Sequence, residues 1–156
     1  MTIHTLFSTR TIARGLITSA LLLSFSTAVM AGSAVSVKGN NVNIRTGPST
    51  QKPVYMELSK GYPLKIVKRQ GEWVKVVDFE GDSGWIHASL VGKGTTVIVN
   101  SKNKINMRSG PSTKKRVVAE VYRGVVLTKL ATKGKWVKVK HANGVVGWIY
   151  KPLLWP

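Results

Sequence analysis

Beyond about residue 35 the chain runs in short stretches where apolar and polar residues alternate. Val74 and Val76 alternate with Trp73 and Lys75, and Val137 and Val139 with Trp136, Lys138 and Lys140. A period of two is that of a strand with one buried face. Turn residues separate the runs. Asn143-Gly144 is a tight-hairpin signal, because both central positions must tolerate positive φ, and Gln70-Gly71 and Lys133-Gly134 mark further turns. No window of ten or more residues shows convincing helical amphipathicity. The pattern predicts an almost purely β protein.

The runs occur twice. Arg45-Thr46-Gly47-Pro48-Ser49-Thr50 returns 63 residues later as Arg108-Ser109-Gly110-Pro111-Ser112-Thr113. Trp73-Val74-Lys75-Val76 returns as Trp136-Val137-Lys138-Val139, and Gly84-Trp85-Ile86 as Gly147-Trp148-Ile149. Residues 42–91 and 105–154 align without a gap and share 21 of 50 positions. Such self-similarity is a duplicated domain, and two copies are too few for a solenoid. Five to seven short strands in about 60 residues remove their exposed edges by curling into a small barrel. Mapping back by the same offset makes Thr96–Val99 the opening strand of the second copy and leaves Gly92-Lys93-Gly94 as connector. The predicted cores comprise Val42, Ile44, Val54, Leu58, Leu64, Val74, Val76, Ile86 and their partners 63 residues on.

The order Asn-hydrophobic-Arg-x-Gly-Pro-Ser-Thr, a central Gly, Gly-x-Trp-Val-Lys-Val and then Gly-Trp-Ile resembles the bacterial SH3 (SH3b) domain family in both copies. The resemblance implies two tandem small SH3-like β-barrels, all-β, of a kind found in exported and cell-wall proteins, often beside a wall-cleaving enzyme domain. It implies no single ligand, because a fold does not specify one.

The N-terminus changes the count of domains. Residues 1–14 carry Arg10 and Arg14 and no acid, and residues 15–31 are uncharged and rich in Leu, Ile, Val and Ala. This is the layout of a secretory signal peptide, with cleavage expected after Ala31, although the apolar run approaches the ~17 residues that can span a bilayer. The expected organisation is a signal peptide over 1–31, one SH3b-like domain over 32–92 and a second over 93–156. After cleavage no transmembrane helix is expected, and the destination is the periplasm, the cell wall or the exterior. The chain has no Cys, which excludes a disulfide, a thiol nucleophile and a thiolate metal site. Charge is uneven. Residues 35–92 balance to +3, whereas residues 93–156 set fourteen basic residues against Glu120 alone, a balance of +13. The second copy is expected to sit against something anionic.

Few residues invite catalysis. Gly81-Asp82-Ser83-Gly84 matches the surroundings of a trypsin-like nucleophile, but copy two has Gly144-Val145-Val146-Gly147 there, so a turn is the better reading. Asp78, Glu80 and Asp82 fall where copy two has His141, Asn143 and Val145, which reads as a solvated hairpin tip. His87 aligns with Tyr150 and His141 with Asp78, so neither histidine repeats, and no metal and no cofactor are expected.

The candidate ligand-binding residues are Trp73, Trp136, Lys138, Lys140, Arg45 and Arg108. The alternation puts Trp136, Lys138 and Lys140 on one outward face, where an aromatic in line with two cations suits a sugar, a base or a peptide. The competing role of that strip is an edge strand guarded by lysines. Arg45 and Arg108 open a loop that borders the peptide groove in eukaryotic SH3 domains, or they hold loop carbonyls with their five donors. Trp85 and Trp148 are read as core or groove-floor residues. The function expected is a non-catalytic cell-envelope module that contacts a cell-wall peptide, an anionic envelope polymer or an envelope protein. The alternative is a regulatory or targeting partner of a separate wall hydrolase. Nucleic acid is disfavoured as a partner because the chain is read as exported.

Overall fold

A computed structural model describes residues 32–156, so the expected signal peptide lies outside the described residues. The first copy forms β1 (Ala34–Val37), β2 (Val42–Arg45), β3 (Val54–Leu58), β4 (Pro63–Gln70), β5 (Trp73–Val77), β6 (Ser83–His87) and β7 (Val91–Lys93). The second repeats them as β8 (Thr96–Val99), β9 (Ile105–Arg108), β10 (Val117–Val121), β11 (Val126–Lys133), β12 (Trp136–Lys140), β13 (Val146–Tyr150) and β14 (Leu154–Trp155). Each copy is a seven-stranded antiparallel sheet, in the order β3-β2-β6-β5-β4-β1-β7 and its equivalent. Leu58 on one outermost strand and Val91 on the other share a single hydrophobic cluster, so the sheet must curl around it, as an edge-hiding small β domain does. Besides strands the described residues hold only two single turns of 3-10 helix, and no helix among them is long and apolar enough to cross a membrane.

The alternation resolves as predicted on the central strands. Val74, Val76, Val137 and Val139 are 0–3 % exposed, while Trp73, Lys75, Trp136 and Lys138 are half-buried on the other face. Changing Val139 to Ala removes two methyl groups from a closed core. It is expected to cost roughly 1–3 kcal/mol of stability in denaturant titration, with the equivalent change at Val76 costing a similar amount.

Val54 and Val117 were expected in the cores and are instead 48 % and 39 % exposed. The cause is a register shift: Ile44 faces Met56 but the next residue, Arg45, faces Val54, and Val117 faces Arg108 before a shift to Ala119 opposite Met107. One extra residue in the strand moves the valine to the outer face. The connector is also shorter than the sequence suggests. Gly92 and Lys93 belong to β7, paired with Ser36 and Val35, so only Gly94 and Thr95 link the two sheets. The opening strands keep an offset of 62, not 63: Val35 faces Leu64 as Val97 faces Leu127. Copy two carries one more residue between its first two strands.

The copies are docked against each other. Thr95 N donates to Ser36 Oγ at 3.1 Å, Ser36 Oγ and Thr96 Oγ1 are 2.7 Å apart, and Thr96 Oγ1 donates to Gly61 O at 2.6 Å. Because Thr96 spends its proton on Gly61, Ser36 is the donor between the hydroxyls. Arg123 lies 4.9 Å over Phe79 and 3.4 Å from Glu80, and Lys65 lies 5.3 Å over Trp155. Ile98, 1 % exposed, belongs to neither core cluster and lies on the Thr96 face of β8.

Candidate binding site

Each copy presents an open groove at the junction of its Gly-Pro loop and its central hairpin. The groove of copy one, about 350 Å³, is lined by Asn41, Asn43, Arg45, Thr50, Trp73 and His87 among others. The groove of copy two, about 670 Å³, is lined by Lys104, Asn106, Arg108, Thr113, Trp136 and Tyr150 among others. These residues correspond one to one at the 63-residue offset. The same concavity is built twice by the same local rules.

The Arg is the keystone of the loop. Arg45 Nη1 donates to Lys52 O at 2.7 Å and Arg108 Nη1 to Lys115 O at 2.9 Å. Inside each loop the Ser hydroxyl accepts a backbone N–H, Gln51 to Ser49 and Lys114 to Ser112, both at 3.2 Å. A Cβ on Gly47 would meet Lys52 Cγ at 2.9 Å, and one on Gly110 would meet Lys115 Cγ at 3.0 Å. The loop-holding role anticipated for Arg45 and Arg108 is therefore observed, and both side chains also line the groove.

The rings come from the hairpin. Trp73 sits opposite His87 and Trp136 opposite Tyr150, and directly opposed residues share a face. The pairs meet edge to face, Trp73–His87 at 5.5 Å and Trp136–Tyr150 at 5.7 Å between centroids, a geometry favoured by the ring quadrupoles. His87 and Tyr150 are absent from the candidates read from the sequence, because His87 does not repeat as a histidine and Tyr150 enters only as its aligned partner. The signal was present, since both follow Gly-Trp-Ile and fall across the hairpin from the candidate Trp.

Lys138 and Lys140 share the outer face with Trp136 but lie farther along β12, outside the groove lining. Lys138 is opposite Trp148, and Trp148 is opposite Arg108. Copy one repeats that row as Lys75, Trp85 and Arg45. Trp85 and Trp148 are thus neither core nor groove floor. They are half-buried on the outer face, between Gly84 and Ile86 or Gly147 and Ile149, which point inward. Besides Arg108, groove two holds a second cation, Lys104, 2.7 Å from Glu120. That contact raises the Lys104 pKa through a hydrogen bond to Glu120 and its negative charge. Asn41 takes its place in groove one.

The acidic turn holds structure. Asp78 is 7 % exposed and accepts from Glu80 N and Asp82 N at 2.9 Å each. Only Glu80 and Asp82 belong to a solvated tip. The turn before β6 closes at Asp78–Gly81, where Gly81 N donates to Asp78 O at 3.3 Å, and Ser83 and Gly84 already belong to β6.

The model of the bacterial SH3 domain matches residues 38–93 and again 101–156. The chain belongs to the bacterial SH3 domain family. Its relatives include a putative N-acetylmuramoyl-L-alanine amidase, YrvJ, of Bacillus subtilis, 25 % identical over 85 % of this chain and 27 % of that protein. A probable cell wall amidase, LytH, of Staphylococcus epidermidis is 36 % identical over 30 % of this chain and 16 % of its own. The SH3 chain therefore spans about a quarter or less of the length of these relatives. Among solved structures, an NlpC/P60 family protein from Bacillus cereus aligns over 79 % of this chain and 56 % of its own, with 17 % identity and a TM-score of 0.37. NlpC2 from Trichomonas vaginalis aligns over 81 % and 49 %, with 16 % identity and a TM-score of 0.34.

Proposed function

We propose that this protein is a non-catalytic binding module of the cell envelope whose two grooves hold segments of cell-wall peptide or of an anionic wall polymer. The observation that carries this reading is the duplicated groove, in which an Arg-braced loop faces an edge-to-face pair of rings. A concave, partly apolar surface with a few fixed polar groups is what a ligand site requires, and the rings offer area at little conformational cost. The balance of +13 in copy two makes it the stronger attractor for carboxylate or phosphate. A relative named as a probable cell wall amidase, beside one named as an N-acetylmuramoyl-L-alanine amidase, supports the wall as the place of action.

The test is retention of the protein on purified peptidoglycan, beside an inert polyanion of matched charge density. Retention on peptidoglycan above that on the polyanion supports the reading, and equal retention reduces it to electrostatics. A second reading, a targeting partner of a separate wall hydrolase, is favoured by the small share of the amidase relatives that this chain matches. It predicts retention only when the hydrolase is present.

A further inference from the structure

We propose that copy two binds a tyrosine side chain of a partner protein, in a pocket that copy one fills with its own Tyr62. The pocket, about 200 Å³, is lined by Met107, Ala119, Val121, Val125, His141 and Val145 among others, and shares no residue with the groove.

At this spot the two copies share a backbone and differ in side chains. Val125 stands where copy one has Tyr62, and the local backbone is the same: Val37 N donates to Tyr62 O as Val99 N donates to Val125 O. Ala119 stands where copy one has Met56, each opposite the same position of the second strand, Met107 or Ile44. His141 stands where copy one has Asp78, whose N–H donates to Asp82 O as that of His141 donates to Val145 O. In copy one Met56 and Tyr62 pack on the core, and the Tyr62 hydroxyl donates to Asp78 Oδ2 at 3.5 Å. Burial, then the charge of Asp78, pushes the Tyr62 phenol up to about 12, as expected of a half-buried ring beside a carboxylate. Two large-to-small differences thus fall on one spot, and deleted bulk leaves a cavity where the surroundings do not collapse.

Copy one also shows which chemistry fits the space. A phenol occupies it there, with its hydroxyl on the residue that becomes His141. An apolar cavity of about 150 Å³ accepts a benzene ring, so the volume of this pocket suffices for a tyrosine ring. Met107 replaces Ile44 on the wall and adds a polarizable sulfur, which makes favourable contacts with aromatic rings. His141 Nδ1 accepts from Asn143 N at 3.3 Å, so the proton of the neutral ring sits on Nε2, the donor a phenolic oxygen needs. Leucine would fill part of the volume and leave that donor unanswered.

The probes are the N-acetyl amides of tyrosine, phenylalanine and leucine, added to the whole protein with ¹³C-methyl methionine and observed by NMR. The tyrosine probe is expected to move the Met107 methyl signal saturably, with the phenylalanine probe weaker and Met56 still. Ala119→Met, which copies the residue of copy one, is expected to weaken the tyrosine probe at least tenfold while the Met56 methyl signal stays in place. Val125→Tyr with His141→Asp is expected to abolish its effect. Absence of a saturable Met107 response, an equal response to the leucine probe, or an Ala119→Met protein that binds like the parent overturns the proposal. Each outcome is independent of whether the grooves hold wall material.

Discussion

Replacing Gly147 with Ala is expected to unfold copy two under conditions in which the parent protein is intact, at a cost of roughly 3 kcal/mol or more. Gly147 is buried where β13 crosses β9, and the two strands meet there through the single pair Trp148 and Arg108. A Cβ on Gly147 would lie 2.9 Å from the carbonyl oxygen of Arg108 and would collide with the Met107 side chain. Met107 is flexible and can yield, but the carbonyl belongs to the strand that carries the groove Arg. Relief requires the sheet to open, which uncovers Ile149 and Met107. Gly84 has the same relation to Arg45 O, at 3.1 Å, and to Ile44, so Gly84→Ala should transfer the damage to copy one. Gly134→Ala is the control, because Gly134 has φ of +55° but open space around its Cβ position. There the cost is the left-handed backbone alone, about 1–2 kcal/mol. Hydrogen exchange reads the copies separately: Gly147→Ala should release the amides of Val137 and Val139 ahead of those of Val74 and Val76. Parent-like protection of Val137 and Val139 in that variant would show that the strand crossing has room for a methyl group.

Much of this architecture is legible in the sequence because the repeat doubles every signal. The period of two around Val74, Val76, Val137 and Val139 places the strand faces, and the paired Gly-Pro loops and Gly-Trp-Ile blocks place the turns and the hairpin. What escapes has physical causes. A bulge leaves no mark in an apolar run, so Val54 and Val117 read as core although one extra residue turns them outward. Trp85 and Trp148, read as core or groove floor from their place between Gly and Ile, fall on the outer face by the same alternation that buries Gly84 and Ile86. The grooves are harder to read. Arg108 and Trp136 were candidates for separate reasons, and their convergence with Tyr150 depends on cross-strand register. The pocket at Ala119 and Val125 is defined by bulk that copy two lacks, which becomes visible only against copy one.

Replacing Trp136 with Ala should weaken retention on the wall fraction at least tenfold, by a factor that changes little between low and high salt. The reason lies in what salt can reach. Trp136 contributes apolar area and an edge-to-face partner for Tyr150, and such contacts are worth about 1–3 kcal/mol when a ligand stacks on them and are not screened. Lys138 and Lys140 lie on the same outer face beyond the groove. Surface charges of this kind act through solvent and are screened within about 8–10 Å at physiological ionic strength. Changing both to Gln should therefore weaken retention at low salt, leave it nearly unchanged at high salt and flatten the salt dependence. Trp73→Ala should cost less than Trp136→Ala, because its groove is the smaller one, about 350 against 670 Å³, and has Asn41 in place of Lys104. Arg108 is the poorer probe, since its removal frees the Lys115 carbonyl and loosens the loop along with any ligand contact. The three variants are compared as binding isotherms on one peptidoglycan preparation at two salt concentrations. A Trp73→Ala defect larger than that of Trp136→Ala would make copy one the principal site. A lysine variant with the parent's salt response would mean that the charge of copy two is not what the ligand meets.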